Sequence, residues 1–321
     1  MTQPAAGTAP VAAFRPTRSM RSDIETMLMP LFPEDAEHSH AVHIGGVSYT
    51  LYTTDPAVGL ARPADRRVIN LLAARVADLI HAGEPPTRHL RIGVKDLLEA
   101  ISGESTGGGS DYARITERLH RLAATRIRTE GESPLGPDVD RIRDFAWIDA
   151  WQQDIQQYGQ RARVLAIMIS LSEDALSWIL HAQGFMVSKD TFADLSSVSS
   201  SAFRIYEICL AQLLSHGGSE AFIQMDELRR RIPMSSDLKT FKSRTLRRAL
   251  DAIAHHTPMN RCLTLSLRRR DGDRFDRIDF SQRARHADVY IGIARGPDAP
   301  RNIDRLSRLL EGTAMADRKP P

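Results

Sequence analysis

The stretch from Leu238 to His256 reads LKTFKSRTLRRALDAIAHH and predicts an amphipathic helix. An apolar residue recurs every three or four positions, which is the spacing of one face of an α-helix. The apolar stripe comprises Leu238, Phe241, Leu246 with Thr245 beside it, Leu250 and Ile253. Between Lys239 and Arg248 the remaining surface carries five basic residues and one serine, with no acid among them: Lys239, Lys242, Ser243, Arg244, Arg247 and Arg248.

A helix face of one charge sign is unfavourable by itself, because like charges four residues apart repel by about 0.2–0.5 kcal/mol. Phosphates of a nucleic acid would supply the missing negative charge. The preceding MDELRRRI (225–232) and the turn expected after it fit the first helix of a helix-turn-helix. The basic helix would then enter the major groove. An ordinary solvated helix face is the alternative that the pattern leaves open.

A hairpin is predicted after this helix, in RCLTLSLRRRDGDRFDRIDFSQR (261–283). Its two strands meet at Asp271-Gly272, a pair typical of two-residue hairpin loops. Arg269 and Arg270 precede the turn and are candidates for contact with phosphates or with a narrow minor groove. A charged hairpin tip without a ligand is the alternative, because Asp271 and Asp273 lie beside the arginines.

A second basic helix is predicted in SDYARITERLHRLAATRIRTE (110–130), running into a strand near Arg126. Arg114, Arg118 and Arg121 form a stripe beside its apolar face, and Arg126 extends the basic surface. We expect these arginines to contact DNA as well. The alternatives are a solvated face, or an ion pair that ties Arg121 or Arg126 to an acid within the fold.

The two basic helices occupy matching places in two segments that share one order of elements. Each segment reads long helix, short strand, short helix, turn, basic helix and β-ribbon, which is the order of a winged helix-turn-helix. The predicted fold class is α+β, mainly α, with two tandem winged helix-turn-helix domains at 42–188 and 192–297. Residues 1–41 are expected to form a flexible arm, and residues 298–321 a tail with a short helix.

Composition limits the possible functions. The chain has 321 residues with a net charge of +3, so a nucleic-acid surface requires local segregation of charge. Cys209 and Cys262 match no zinc or redox spacing. The sequence predicts neither a membrane span nor a secretory signal, and we expect a cytoplasmic protein.

One segment permits an enzymatic alternative, in which His38, His40 and His43 bind a metal near Tyr49 and Tyr52. A metal-dependent nicking enzyme would use a histidine pair and a tyrosine nucleophile. A serine separates the first two histidines, however, and the tyrosines follow too closely. No phosphate-binding loop or other catalytic motif is present. We therefore expect no enzyme, no catalytic or metal-binding residue and no cofactor.

Several stretches, in order, resemble the replication initiator protein A family of bacterial plasmids. They lie between about residues 57 and 254. The stretches that carry most weight are TGGGSDYARITERLHRLAATRIRT and FRIYEICLA; the others include GLARPADRRVINLLAARV, FAWIDAW and LKTFKSRTLRRALDAI. The resemblance implies a non-enzymatic initiator with two winged helices. It would bind direct repeats (iterons) in duplex origin DNA, help to open the duplex and recruit host replication proteins. It would also be able to form a homodimer. A transcriptional repressor without an initiator role shares every residue-level argument.

Overall fold

The computed structural model describes residues 19–29, 31–33, 38–44, 47–102, 109–130, 143–158, 161–188, 199–232, 237–280 and 286–310. Most of the turn segments predicted at 105–110 and 233–236 lie outside these residues, as do positions 1–18 and 311–321. Within these ranges, no helix combines the length and apolar character that crossing a membrane requires.

The first unit contains five helices and three sheets in the residues described. The helices are α1 (Ile24–Leu28), α2 (Arg66–His81), α3 (Val94–Ser102), α4 (Gly109–Ala124) and α5 (Glu173–His181). The strands are β1 (Ser19–Asp23), β2 (Ser39–Ile44), β3 (Val47–Thr53), β4 (His89–Gly93), β5 (Thr125–Glu130), β6 (Arg143–Ala146), β7 (Ile148–Tyr158), β8 (Arg161–Leu171) and β9 (Gly184–Ser188). Strands β2, β3, β5 and β6 form one sheet in that order, β4, β8 and β7 form a second, and β1 and β9 form a third.

The second unit begins with α6 (Ser200–His216), whose N-terminus is capped by the Ser199 hydroxyl and whose C-terminus ends at Gly217 in the left-handed conformation. There follow β10 (Glu220–Gln224), α7 (Met225–Arg230), the basic helix α8, α9 (Thr257–Cys262), β11 (Leu263–Asp271), β12 (Arg274–Arg277) and β13 (Val289–Arg295). Helix α8 has three consecutive segments: α-helical Leu238–Thr240, π-helical Phe241–Leu246 and α-helical Arg247–His255. The sheet order is β10-β13-β11-β12.

The two units share a strand order. In the first unit β4, between α2 and α3, pairs antiparallel with β8, and in the second unit β10, between α6 and α7, pairs antiparallel with β13. Strands β8 and β13 also pair antiparallel with β7 and β11, respectively. The expected repetition of architecture is therefore present in the pairing of the strands. The α+β class is confirmed, although strands are more extensive than a mainly α fold implies.

Part of the predicted flexible arm belongs to the core. β1 pairs with β9, and Met20, Leu31 and Phe32 are buried. Arg21 is buried too, and its guanidinium donates to the carbonyls of Ile179 and Ala182. The expectation of a flexible arm is wrong for residues 19–29 and 31–33, because most of their apolar side chains are buried.

Buried charges also join the two units. Arg66 of α2 lies 2.8 Å from the Glu207 carboxylate of α6, and both side chains are almost fully buried. Arg204, one turn before Glu207, lies 3.6 Å from the same carboxylate and donates to the Met29 carbonyl at 2.6 Å. Burial lowers the pKa of Arg204 to about 10, against the opposing effect of Glu207. Removing the carboxylate would leave two buried cations facing each other across the junction.

Candidate nucleic-acid interface

Helix α8 begins at a strong cap. The Asp237 carboxylate accepts a hydrogen bond from the Thr240 amide at 2.6 Å, and this bond lowers the pKa of Asp237. An acid at the N-terminus also stabilises the helix dipole, which the basic residues further along the first turns do not. The sequence therefore anchors the start of a helix whose exposed face is cationic.

The apolar side of α8 is the stripe predicted from the sequence. Phe241 and Leu246 are fully buried, and Leu250 and Ile253 continue the stripe toward α6. Phe241 and Leu246 are five residues apart, however, a spacing that an α-helix does not keep on one face. The π-helical segment spans this interval, because its hydrogen bonds join residues five apart.

The polar side of α8 is exposed and cationic. Lys239, Arg244, Arg247 and Arg248 are exposed, as is Ser243, whereas Lys242 is partly buried. Among the residues that the structure describes, no hydrogen bond or ion pair occupies the guanidinium groups of Arg244, Arg247 and Arg248. These cations are thus available to an external anion, as the sequence predicted.

The predicted hairpin is present, with its loop displaced by one residue. Asp271 pairs with Arg274, so the loop consists of Gly272 and Asp273. Gly272 has a φ of 58°, which fits the first loop position of a type II′ turn. Arg269 is exposed, and Arg270 donates to the Gly272 carbonyl at 3.0 Å. Arg270 therefore stabilises the loop, whereas the exposed side chain of Arg269 remains available for the expected DNA contact.

The arginines of α4 differ from those of α8, because the fold uses them. Arg121 is buried and makes a two-pronged bond to the Asp65 carboxylate at 2.7 and 2.9 Å, with a further bond to Glu117. The hydrogen bonds to Asp65 raise the pKa of Arg121 despite its burial. The structure places Arg121 in the interior of the unit, so the expected DNA contact is corrected to a structural ion pair.

The exposure of Arg118 is intermediate between that of the exposed arginines of α8 and that of the buried Arg121. The Arg118 side chain is 13% exposed and donates to the Ala64 carbonyl at 2.6 Å, with Asp65 at 3.9 Å. Burial lowers its pKa, against the opposing effect of Asp65. Arg114 is well exposed but pairs with Asp111 one turn earlier. Of the predicted α4 contacts, Arg114 is the most exposed to solvent.

Arg126 is also held within the fold. Its guanidinium donates to the Asp144 side chain and carbonyl at 2.8 Å each, across the β5-β6 pair. The Tyr52 hydroxyl donates to the same carboxylate at 2.6 Å, and this bond raises the pKa of Tyr52. The alternative of an internal ion pair is thus realised at both Arg121 and Arg126. Asp65 and Asp144 lie 56 and 18 positions away, so no local pattern identified them.

The histidine segment does not assemble a nicking site in the described residues. Ser39 pairs with Tyr52 and His40 with Leu51, so His40 and Tyr52 lie on opposite faces of the sheet. Tyr49 is buried, and burial raises its pKa to about 12. Among the described residues, no three metal-binding side chains converge. Tyr52 is bound to Asp144 rather than directed toward a histidine.

A family model described as replication initiator protein A matches residues 21–259 of this chain, well over half of its length. The chain belongs to the replication initiator protein A family. The match begins in β1 and ends in α9, so it includes both basic helices and excludes the β11-β12 hairpin. The resemblance noted in the sequence is confirmed, and membership supports a role in replication initiation and DNA binding.

Two crystal structures of domains 2 and 3 of RctB, one of them from selenomethionine derivatives, are similar to the chain. Each aligns with a TM-score of 0.48 at 11% sequence identity. The alignments cover 83% and 84% of this chain, and 94% and 95% of the respective RctB chains. No curated protein sequence matches the chain significantly.

Proposed function

We propose that this replication initiator binds direct repeats in duplex DNA at a plasmid origin, with α8 as its principal reading helix. The observation that carries the proposal is the exposed face of α8, on which Arg244, Arg247 and Arg248 have no partner among the described residues. A face of unpaired cations is stable when phosphates approach it. A solvated face would more commonly mix charge signs.

We also propose that each unit is a winged helix-turn-helix. The shared pairing of β4 with β8 and of β10 with β13 supports this, together with the position of α4 and α8 after a shorter helix. The β11-β12 hairpin would then be the wing of the second unit, with Arg269 directed toward the DNA backbone. In this arrangement the first unit contributes fewer cations, because Arg121 and Arg126 are paired internally.

A salt titration tests the proposal. Phosphate contacts by three cations of α8, Lys239, Arg247 and Arg248, would give a slope of log K against log salt of about −2.7, at 0.9 per phosphate. We expect Arg247→Ala to weaken binding to every duplex and to reduce the slope by about 1. Arg301→Ala is the matched control, since Arg301 is an exposed arginine outside α8. Equal slopes for the wild type and Arg247→Ala would refute the assignment of α8.

Origin opening, recruitment of host replication proteins and formation of a homodimer belong to the same proposal, which includes no catalytic step. If a minimal origin plasmid is maintained without the protein, the initiator role is refuted and the alternative of a transcriptional repressor is left. Conversion of supercoiled plasmid to nicked circles with Mg²⁺ would contradict the absence of catalysis. Sedimentation with and without an origin duplex measures the oligomeric state.

A further inference from the structure

The π-helical segment of α8 sets the direction of its exposed residues. Phe241 and Leu246 are both fully buried, so the five-residue interval between them makes one complete turn. In a continuous α-helix, each step of four residues advances by about 40° around the axis. A single wider turn largely cancels this advance, because it accommodates an additional residue.

As a result, the exposed residues form two straight rows. Lys239, Ser243 and Arg247 lie in one row, and Arg244 and Arg248 lie in the other, each four residues apart and each exposed. Ser243 and Arg244 are the exposed residues inside the π-helical segment itself. Since a π turn is wider than an α turn, these two side chains start farther from the helix axis than their neighbours do.

We propose that Ser243 and Arg244 read base edges in the major groove, whereas Lys239, Arg247 and Arg248 hold the flanking phosphates. The inference rests on the proposed function, in which α8 enters the groove. Both readers lie in the N-terminal half of the helix, the part that contacts bases in helix-turn-helix proteins. Their chemistry is suited to base recognition, because a serine hydroxyl both donates and accepts and a guanidinium matches the O6 and N7 atoms of guanine.

Selection from a randomised duplex library distinguishes readers from phosphate contacts. The full-length wild type should enrich a defined sequence, and Ser243→Ala and Arg244→Ala should each lose the preference at particular base pairs. For Arg244→Ala the expected loss of discrimination is roughly 5- to 150-fold at its base pair. Arg248→Ala should enrich the wild-type sequence with weaker binding and a salt slope smaller by about 1.

Deleting Thr245 tests the π turn directly. The deletion places Phe241 and Leu246 four residues apart, so the apolar stripe becomes regular for an α-helix. It also rotates Arg247 and Arg248 relative to Ser243. We expect the folded deletion variant to bind non-specific duplex but to lose the selected sequence, whereas Thr245→Ala, which keeps the helix length, should retain it.

The outcomes separate this inference from the proposed function. If the wild type enriches no sequence and binds no duplex, sequence-specific DNA binding itself fails. If the wild type enriches a sequence but Ser243→Ala and Arg244→Ala keep its full discrimination, DNA binding stands and the assignment of the readers is overturned. Wild-type preference in a folded Thr245 deletion, checked by circular dichroism, would overturn the role of the π turn. If the Thr245 deletion fails to fold, Ser243→Ala and Arg244→Ala still test the assignment of the readers.

Discussion

The assignment of Arg121 to the interior can be tested by removing the charge of Asp65. The Asp65 carboxylate is fully buried and accepts from Arg121 at 2.7 and 2.9 Å. Asp65→Asn keeps the size of the side chain but leaves the Arg121 guanidinium, only 7% exposed, without its buried counter-charge. Breaking a buried ion pair in this way costs about 3–5 kcal/mol. Glu117 still contacts Arg121, so we expect a value near the lower end of this range, about 3 kcal/mol.

Urea denaturation, followed by tryptophan fluorescence, measures this loss as a lower transition midpoint. The double variant Asp65→Asn with Arg121→Met should recover much of the stability, because an uncharged side chain replaces the unmatched buried guanidinium. Arg121→Met should leave the salt slope of DNA binding at the wild-type value. A cost below about 1 kcal/mol for Asp65→Asn, the size of a surface pair, would refute the interior ion pair of Arg121. The assignment also fails if Arg121→Met reduces the salt slope while stability is unchanged.

Three further perturbations test the fold and its pH response. Burial lowers the pKa of His40 below its ordinary value of 6.5, so the unfolded chain binds more protons and stability falls as the pH drops from about 7 toward 5. Stability measured across that range should fall less in His40→Gln, and an equal fall would count against the burial of His40. A Cβ on Gly184 would lie 2.3 Å from the buried Arg21 guanidinium, so Gly184→Ala should cost about 1–3 kcal/mol by thermal unfolding, and a neutral effect would contradict the packing. Glu207→Gln should cost about 3–5 kcal/mol in urea, since it leaves two buried arginines unmatched, and an unchanged midpoint would show that they are solvated.

The elements of the fold could be predicted from local patterns, because helix caps, apolar stripes and turn residues act over a few positions. The apolar stripe predicted for α8 was correct. The five-residue interval between Phe241 and Leu246 within that stripe is a sign of the π turn. The hairpin loop was predicted one residue too early, because Asp271 belongs to the strand and Gly272 supplies the positive φ. Local signals of this kind determine the elements more reliably than their boundaries.

The use of each arginine could not be predicted in the same way. In sequence, Arg121 and Arg247 both lie on amphipathic helices with an apolar stripe, and each has an acid four residues away, Glu117 or Asp251. The difference between the two arginines arises from tertiary structure. Asp65, at the start of α2, lies against α4 and pairs with Arg121, whereas no described carboxylate pairs with Arg247. A charge pattern therefore indicates a basic helix, but only the packing of distant elements decides whether its cations remain available.

This difference between the units has a consequence for how DNA would be recognised. If α8 supplies most of the free cations and α4 mainly Arg114, the two units contribute unequally to affinity. The buried contact of Arg66 with Glu207 joins α2 to α6, and α6 packs against α8. A rigid junction of this kind would impose a fixed distance between the two contacted segments of DNA. Spacing between half-sites would thus depend on the junction, and base preference would depend on α8.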